Sequence, residues 1–167
     1  FNENTGRARG RASLGVRSMK MREDDAVISM CVGDEDEKVL SITENGYGKR
    51  TDPAEYREQG RGGQGVIAMN LTDKTGLLAA QLMIAEDEDI LLITDDGTII
   101  RTAADSIRIC GRATQGVRLM RVGDGSRIVG VARAEKEDED DETDAPENAA
   151  EESDAGEDVS AEPNEEI

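Results

Sequence analysis

Apolar residues recur along this chain in short runs, and polar turns punctuate them at near-constant spacing. Val39-Leu40-Ser41-Ile42-Thr43 runs into Glu44-Asn45-Gly46, and Ile90-Leu91-Leu92-Ile93-Thr94 runs into Asp95-Asp96-Gly97. Asn-Gly or Asp-Gly closing a β-type run predicts a hairpin, because a tight turn needs positive φ at both central residues. Two further kinds of strand are predicted. One follows each Gly-Val pair, as in Val66-Ile67-Ala68-Met69. The other follows the polar turns Glu23-Asp24-Asp25, Asp73-Lys74-Thr75 and Asp124-Gly125-Ser126, and begins Val27-Ile28, Leu77-Leu78 or Ile128-Val129. After the first hairpin, Asp52 before Pro53 is placed to cap a single helical turn.

These elements repeat. Arg7-x-x-Gly10-Arg11-x-x-x-Gly15-Val16 returns as Arg57-x-x-Gly60-Arg61-x-x-x-Gly65-Val66 and as Arg108-x-x-Gly111-Arg112-x-x-x-Gly116-Val117. The later turns and apolar runs align without a gap, and Arg50 aligns with Arg101. Each unit therefore predicts four short antiparallel strands, and a period near ~50 residues with four strands per unit points to propeller-like blades rather than a sandwich. The expected fold is all-β: two complete repeats plus part of a third, too few to close a ring, with aliphatic cores because aromatic residues are 2% of the chain. The chain opens on Phe1 with neither an initiator Met nor a signal pattern, so it is expected to be a piece of a longer protein.

Charge divides the chain. The net charge is −18, yet residues 1–133 hold 19 basic and 21 acidic side chains, against 1 and 17 in residues 134–167. The second segment is expected to be a disordered acidic tail, since dense like charge with few apolar groups cannot offset the entropy of ordering. Residues 1–133 are expected to form the blades. Cys31 and Cys110 have no CxxC spacing and are expected as free thiols in a cytoplasmic protein. The absence of His removes His-based acid–base chemistry and the usual zinc sites. No apolar run approaches the ~18 residues that span a bilayer, so no membrane association is expected.

The repeated arginines are the candidate binding residues. Arg11, Arg61 and Arg112, with Arg7, Arg57 and Arg108, occupy equivalent places in successive units, which suits regularly spaced DNA phosphates; salt bridges between units are the structural alternative. Gly15, Gly65 and Gly116 are expected as turn or bulge positions. Gly60-Arg61-Gly62-Gly63-Gln64-Gly65 fits GxGxxG, but the strand–turn–helix context of that fingerprint is missing. There is no GxxxxGK[ST]. Acidic groups such as Asp24-Asp25, Asp34-Glu35-Asp36 and Glu86-Asp87-Glu88 fall at turns, so solvated charge rather than a metal site is expected. Tyr47 and Tyr56 lack an acidic cluster and are assigned to packing or stacking. No catalytic residue is expected.

Asn45-Gly46-Tyr47-Gly48-Lys49-Arg50-Thr51, followed by Tyr56-Arg57-x-Gln59-x-Arg61-Gly62-Gly63-x-Gly65-Val66, closely resembles the carboxy-terminal β-pinwheel domain of the bacterial DNA gyrase A subunit, over residues 1–133. The resemblance implies blades that wrap double-stranded DNA around a basic rim, adding Lys49, Arg50 and Arg101 to the contact residues. It also implies a type II topoisomerase that introduces negative supercoils with ATP and Mg2+, with the catalytic tyrosine elsewhere in a homodimeric A subunit and the ATPase on the B subunit, in an A2B2 heterotetramer. Acidic tails in such proteins are thought to modulate wrapping. Gln59-Gly60-Arg61-Gly62-Gly63-Gln64-Gly65 keeps the frame of the family's box but has Gly60 and Gln64 where the box is basic, which marks a degenerate copy and places the true box upstream. The A subunit of topoisomerase IV shares the blade type, and a propeller-like protein-interaction scaffold is a further alternative.

Overall fold

The computed structural model describes residue 2, residues 8–33 and residues 36–136. Arg7, and residues 137–167 of the expected tail, lie outside the described residues. The regular structure is β: β1 (Lys38–Thr43), β2 (Tyr47–Thr51), β3 (Leu78–Ile84), β4 (Glu88–Thr94), β5 (Ile99–Ala103), β6 (Val117–Arg118) and β7 (Ile128–Glu135). Single 3-10 turns span Pro53–Glu55 and Ala104–Ser106. Among the described residues no helix is long and apolar enough to cross a membrane.

Both expected hairpins form, β1 with β2 and β4 with β5. Their loops hold three residues (44–46) and four residues (95–98) rather than two. Gly46 (φ 79°) closes the first loop and Gly97 (φ 86°) stands one residue before the end of the second, so glycine supplies a left-handed position late in each loop. Thr43 and Thr94 brace these loops, their hydroxyls accepting from the amides of Tyr47 (3.3 Å) and Thr98 (3.1 Å). After β2, the Asp52 carboxylate accepts from the Ala54 amide at 2.9 Å and caps the 3-10 turn as expected.

Three strands of each sequence unit share a sheet, and the strand after the Gly-Val pair is the one exchanged. The first sheet runs β3-β1-β2-β6 and the second β5-β4-β7. Counted from its hairpin, each unit thus keeps its own last strand, β3 beside β1 and β7 beside β4, while the β1–β2 hairpin takes its fourth strand, β6, from the next unit. This exchange knits units together through backbone pairing. It also explains residues 8–33, which form only the bridge Met19↔Gly63 although the repeat predicts strands there. No hairpin that precedes them, of their own unit or an earlier one, stands among the described residues to receive them, and Leu14 and Met30 are 91% and 90% exposed. Among the strands predicted after Gly-Val, Val117–Arg118 is the one that pairs into a sheet.

The gapless alignment slips by one residue at the third strand. Ala80 sits opposite Ile42 and Gly130 opposite the equivalent Ile93, so Leu78 matches Ile128, not Val129. The extra residue is taken up in the Thr72–Gly76 turn, where the amides of Thr75 and Gly76 both donate to the Thr72 carbonyl. β7 also extends beyond the expected limit at residue 133: Ala134 and Glu135 pair with Asp89 and Glu88. Backbone pairing and the Lys136–Asp105 ion pair (3.1 Å) hold this stretch despite its weak apolar character.

The aliphatic core lies between the sheets. Leu40, Ile42 and Ile84 pack with Ile90, Leu92, Ile107, Met120 and Ile128. Equivalent strands use opposite faces here: β1 presents Leu40 and Ile42, whereas β4 presents Ile90 and Leu92, which match Val39 and Ser41 in the repeat. A unit that buries one face against its predecessor and the other against its successor needs apolar groups on both, as propeller-like stacking requires.

Candidate nucleic-acid interface

The structure divides the predicted cations by what surrounds them. Lys49 is fully buried. Its Nζ donates to the carbonyls of Gly111 (2.8 Å) and Arg112 and to the Thr114 hydroxyl (3.4 Å), and burial pushes the ammonium below its ordinary range. Arg50 is 4% exposed, with Nε on the Ile107 carbonyl at 2.8 Å and Nη2 on that of Asp105 at 3.1 Å. Neither side chain can meet a phosphate in this fold. The resemblance implied both as rim contacts, but residues 108–112 lie over them, with the Arg50 amide on the Arg108 carbonyl at 3.2 Å and the Cys110 amide on the Arg50 carbonyl at 2.8 Å. Arg101 donates to Asp89 at 2.7 Å and to the Glu135 carbonyl, so it fastens β7 to the β4–β5 hairpin.

Arg11, Arg57 and Arg108 are exposed, while Arg61 and Arg112 are half-buried. Arg57 and Arg112 come together in a cleft of about 380 Å³ with Glu55, Val66 and Ile67. Glu55 accepts from the Arg112 amide at 2.6 Å, and the Arg112 guanidinium donates to the Ile67 carbonyl. Arg112 therefore ties its unit to the preceding one through backbone, and not by the ion pair that the alternative supposed. In the box segment Gln59–Gly65, the Gly62 amide donates to the Ser18 carbonyl and the Gly63 carbonyl accepts from Lys20, each at 2.8 Å. The Asn70 amide makes the equivalent bond to Thr114 at 3.1 Å. The box thus latches consecutive units, with Gly62 and Gly65 left-handed. Gly116 is also left-handed (φ 74°), and a Cβ there would stand 2.5 Å from the Gly48 carbonyl oxygen.

A second basic cluster was not singled out in the sequence. Where β6 meets the start of β2, Arg118 donates to the Tyr47 hydroxyl through Nη2 (2.7 Å) and Nε (3.2 Å). Its guanidinium carbon lies 5.3 Å from the ring centroid, and Lys74 Nζ lies 5.5 Å from it. These are cation–π distances. The hydrogen bond from Arg118, helped by nearby positive charge, holds the phenol below its ordinary range. Arg121 completes a groove of about 350 Å³ with these residues. The repeat does carry a signal: Arg17 and Lys20 stand in the first copy where Arg118 and Arg121 stand in the third, but Ile67 and Asn70 interrupt it in the second.

Ion pairs sort the cations further. Lys38, Arg50, Arg101, Arg127, Arg133 and Lys136 each have a carboxylate partner within 4.0 Å. Among the described residues Arg57, Lys74, Arg108, Arg118 and Arg121 have none. Cations without a fixed anion can neutralise phosphates and release counterions. Neither tyrosine is arranged as a nucleophile: Tyr47 accepts from Arg118, and burial pushes the Tyr56 phenol up.

A family model described as the DNA gyrase C-terminal domain, beta-propeller, matches residues 7–30, 37–80 and 88–135. The DNA gyrase A subunit of Staphylococcus epidermidis is 41% identical over 141 residues, covering 83% of this chain and 16% of that protein. Its counterpart in Escherichia coli (strain K12) is 42% identical over 142 residues, covering 84% and 16%. The chain thus spans about a sixth of the length of these relatives. A solved DNA gyrase A C-terminal domain aligns with TM-score 0.73 and 27% identity over 80% of this chain and 46% of that one. The C-terminal domain of DNA topoisomerase IV aligns with TM-score 0.67 and 22% identity, over 74% and 39%, a likeness of fold alone.

Proposed function

Because this chain belongs to the DNA gyrase C-terminal domain family, we propose that it is the DNA-binding and DNA-wrapping part of a gyrase A subunit. One observation carries this. Cations that find no carboxylate recur at equivalent places in the exchanged units, as with Arg57 and Arg108 or Arg17 and Arg118. Repeated, unneutralised charge on a stacked scaffold suits the backbone of a curved duplex, and phosphate contacts position the duplex without reading its sequence.

The whole enzyme implied is an ATP-dependent, negatively supercoiling type II topoisomerase in the cytoplasm, in which this segment serves a homodimer of A subunits paired with two B subunits. ATP and Mg2+ belong to that whole enzyme, and this chain carries no GxxxxGK[ST] phosphate-binding loop. Both would act elsewhere in that enzyme.

Titrating the 167-residue chain with mixed-sequence duplex DNA across a salt series tests the reading. Affinity is expected to fall log-linearly with salt and to show no sequence preference. Arg57→Gln combined with Arg108→Gln should reduce the slope by about 0.9 per arginine. A protein-interaction scaffold predicts no salt-dependent affinity, and that result at low salt would overturn the proposal.

A further inference from the structure

The cluster around Tyr47 supports a more specific assignment, which rests on the DNA-binding reading. We propose that the groove between the β1–β2 turn, the Asp73–Gly76 turn and the Arg121–Ser126 loop is a seat for one backbone phosphate of the duplex, with Arg118 as its donor and Tyr47 as the residue that positions Arg118.

The groove is basic by construction. Lys74, Arg118 and Arg121 line it, and Asp124 is the one carboxylate among its lining residues. Lys74 and Arg118 are held around a single ring although their charges repel, and no carboxylate pairs with either. An anion between them relieves that repulsion. The Tyr47 hydroxyl engages Nε and one hydrogen of Nη2, which fixes the guanidinium plane and leaves Nη1 and the second Nη2 hydrogen for an incoming oxygen. A preoriented arginine loses less side-chain freedom on binding than a mobile one.

The rest of the fold locks this arrangement. Tyr47 is 7% exposed and pairs with Arg118 across β2 and β6, while Asn45 donates to the carbonyls of Asp73 (3.3 Å) and Lys74 (3.1 Å) and so holds the lysine-bearing turn beside the ring. The second sheet has no counterpart. Thr98 replaces Tyr47, Gly125 replaces Lys74, and Asp95 accepts from Ser126 and the Arg127 amide. The same turns are thus a phosphate seat in one sheet and a neutralised contact in the other.

The test measures binding of the 167-residue chain to mixed-sequence duplex DNA across a salt series, with thermal melting as a control for folding. Arg118→Gln removes the donor to the seated phosphate and should lower the log–log slope by about 0.9. Lys74→Gln and Arg121→Gln, both on exposed side chains, leave that contact in place and should each weaken low-salt binding, by less than Arg118→Gln and with a smaller change in slope. Tyr47→Phe keeps the ring and every charge, so it should weaken binding several-fold with the slope unchanged. In spectra of 15N-arginine side chains, adding the duplex should shift the Arg118 Nε–H resonance of the unaltered chain and shift it less in Tyr47→Phe. If the unaltered chain binds DNA with a salt slope but Lys74→Gln and Arg121→Gln match it, the groove assignment fails and the wrapping reading stands. Weakened binding in those variants with Tyr47→Phe unchanged removes the positioning role. Absence of DNA binding by the unaltered chain defeats the wider reading itself.

Discussion

Replacing Lys49 by Met should destabilise the fold and leave the electrostatics of DNA binding untouched. Methionine fills much of the stem's volume, so the loss comes from the ammonium. Gly111 keeps a partner, because the Thr114 hydroxyl still donates to its carbonyl at 2.7 Å. The Arg112 carbonyl loses the ammonium as donor. An orphaned buried acceptor costs about 1–3 kcal/mol, and bonds to charged donors contribute about 1.5–3 kcal/mol. Removing the desolvation of a buried ammonium offsets part of this. A net loss of about 2 kcal/mol follows, or roughly 1 M in urea midpoint for a slope near ~2 kcal/mol/M. Alkaline pH adds a second signature. Burial depresses the folded-state value, so from that value up to the ordinary 10.5 the unfolded chain holds more protons and stability rises with pH. That rise should vanish in Lys49→Met. Urea unfolding monitored by circular dichroism at several pH values reads both effects. An unchanged midpoint would refute the hydrogen-bond assignment, and a DNA salt slope lower by about 0.9 would show that Lys49 reaches a phosphate after all.

Gly116→Ala introduces a Cβ at positive φ against the Gly48 carbonyl and should lower stability by about 2–4 kcal/mol, whereas Gly60→Ala, with open space around it, should change little; paired urea midpoints decide. Acid should destabilise the fold, because Asp52, Asp95, Asp96 and Asp105 all titrate below their ordinary value, Asp96 at about 2, where the Thr94 hydroxyl and Thr98 amide stabilise its carboxylate. The stability they confer is complete above the unfolded value near 3.8 and is lost as pH falls toward the folded one, so Asp96→Asn should show a shallower loss in acid unfolding curves.

Much of the architecture was legible in local patterns. Alternating apolar runs ending in Gly46 and Gly97 identified both hairpins, and Asp52-Pro53 identified the capped turn, because turn chemistry and strand periodicity are properties of neighbouring residues. The repeat motif located equivalent positions and so the exposed Arg57 and Arg108. Lys49 and Arg50 were misplaced for a reason of the same kind: a strand pattern says which way side chains alternate but not what covers either face.

The order of units, their period and their turns were set by the sequence alone, since each depends on contacts a few residues long. Which strand each hairpin accepts was decided only in three dimensions. Every unit offers the same short strand after its Gly-Val pair, and backbone hydrogen bonds do not distinguish one copy from the next, so the seating of Val117–Arg118 on β2 is a tertiary choice. The one-residue slip at Leu78 is of the same origin, since the Thr72–Gly76 turn absorbs it without disturbing the apolar pattern. Tertiary structure likewise made Tyr47, Lys74 and Arg118 one site. Tyr47 and Lys74 belong to one unit and Arg118 to the next, and the pairing of β6 with β2 is what brings them to a single edge.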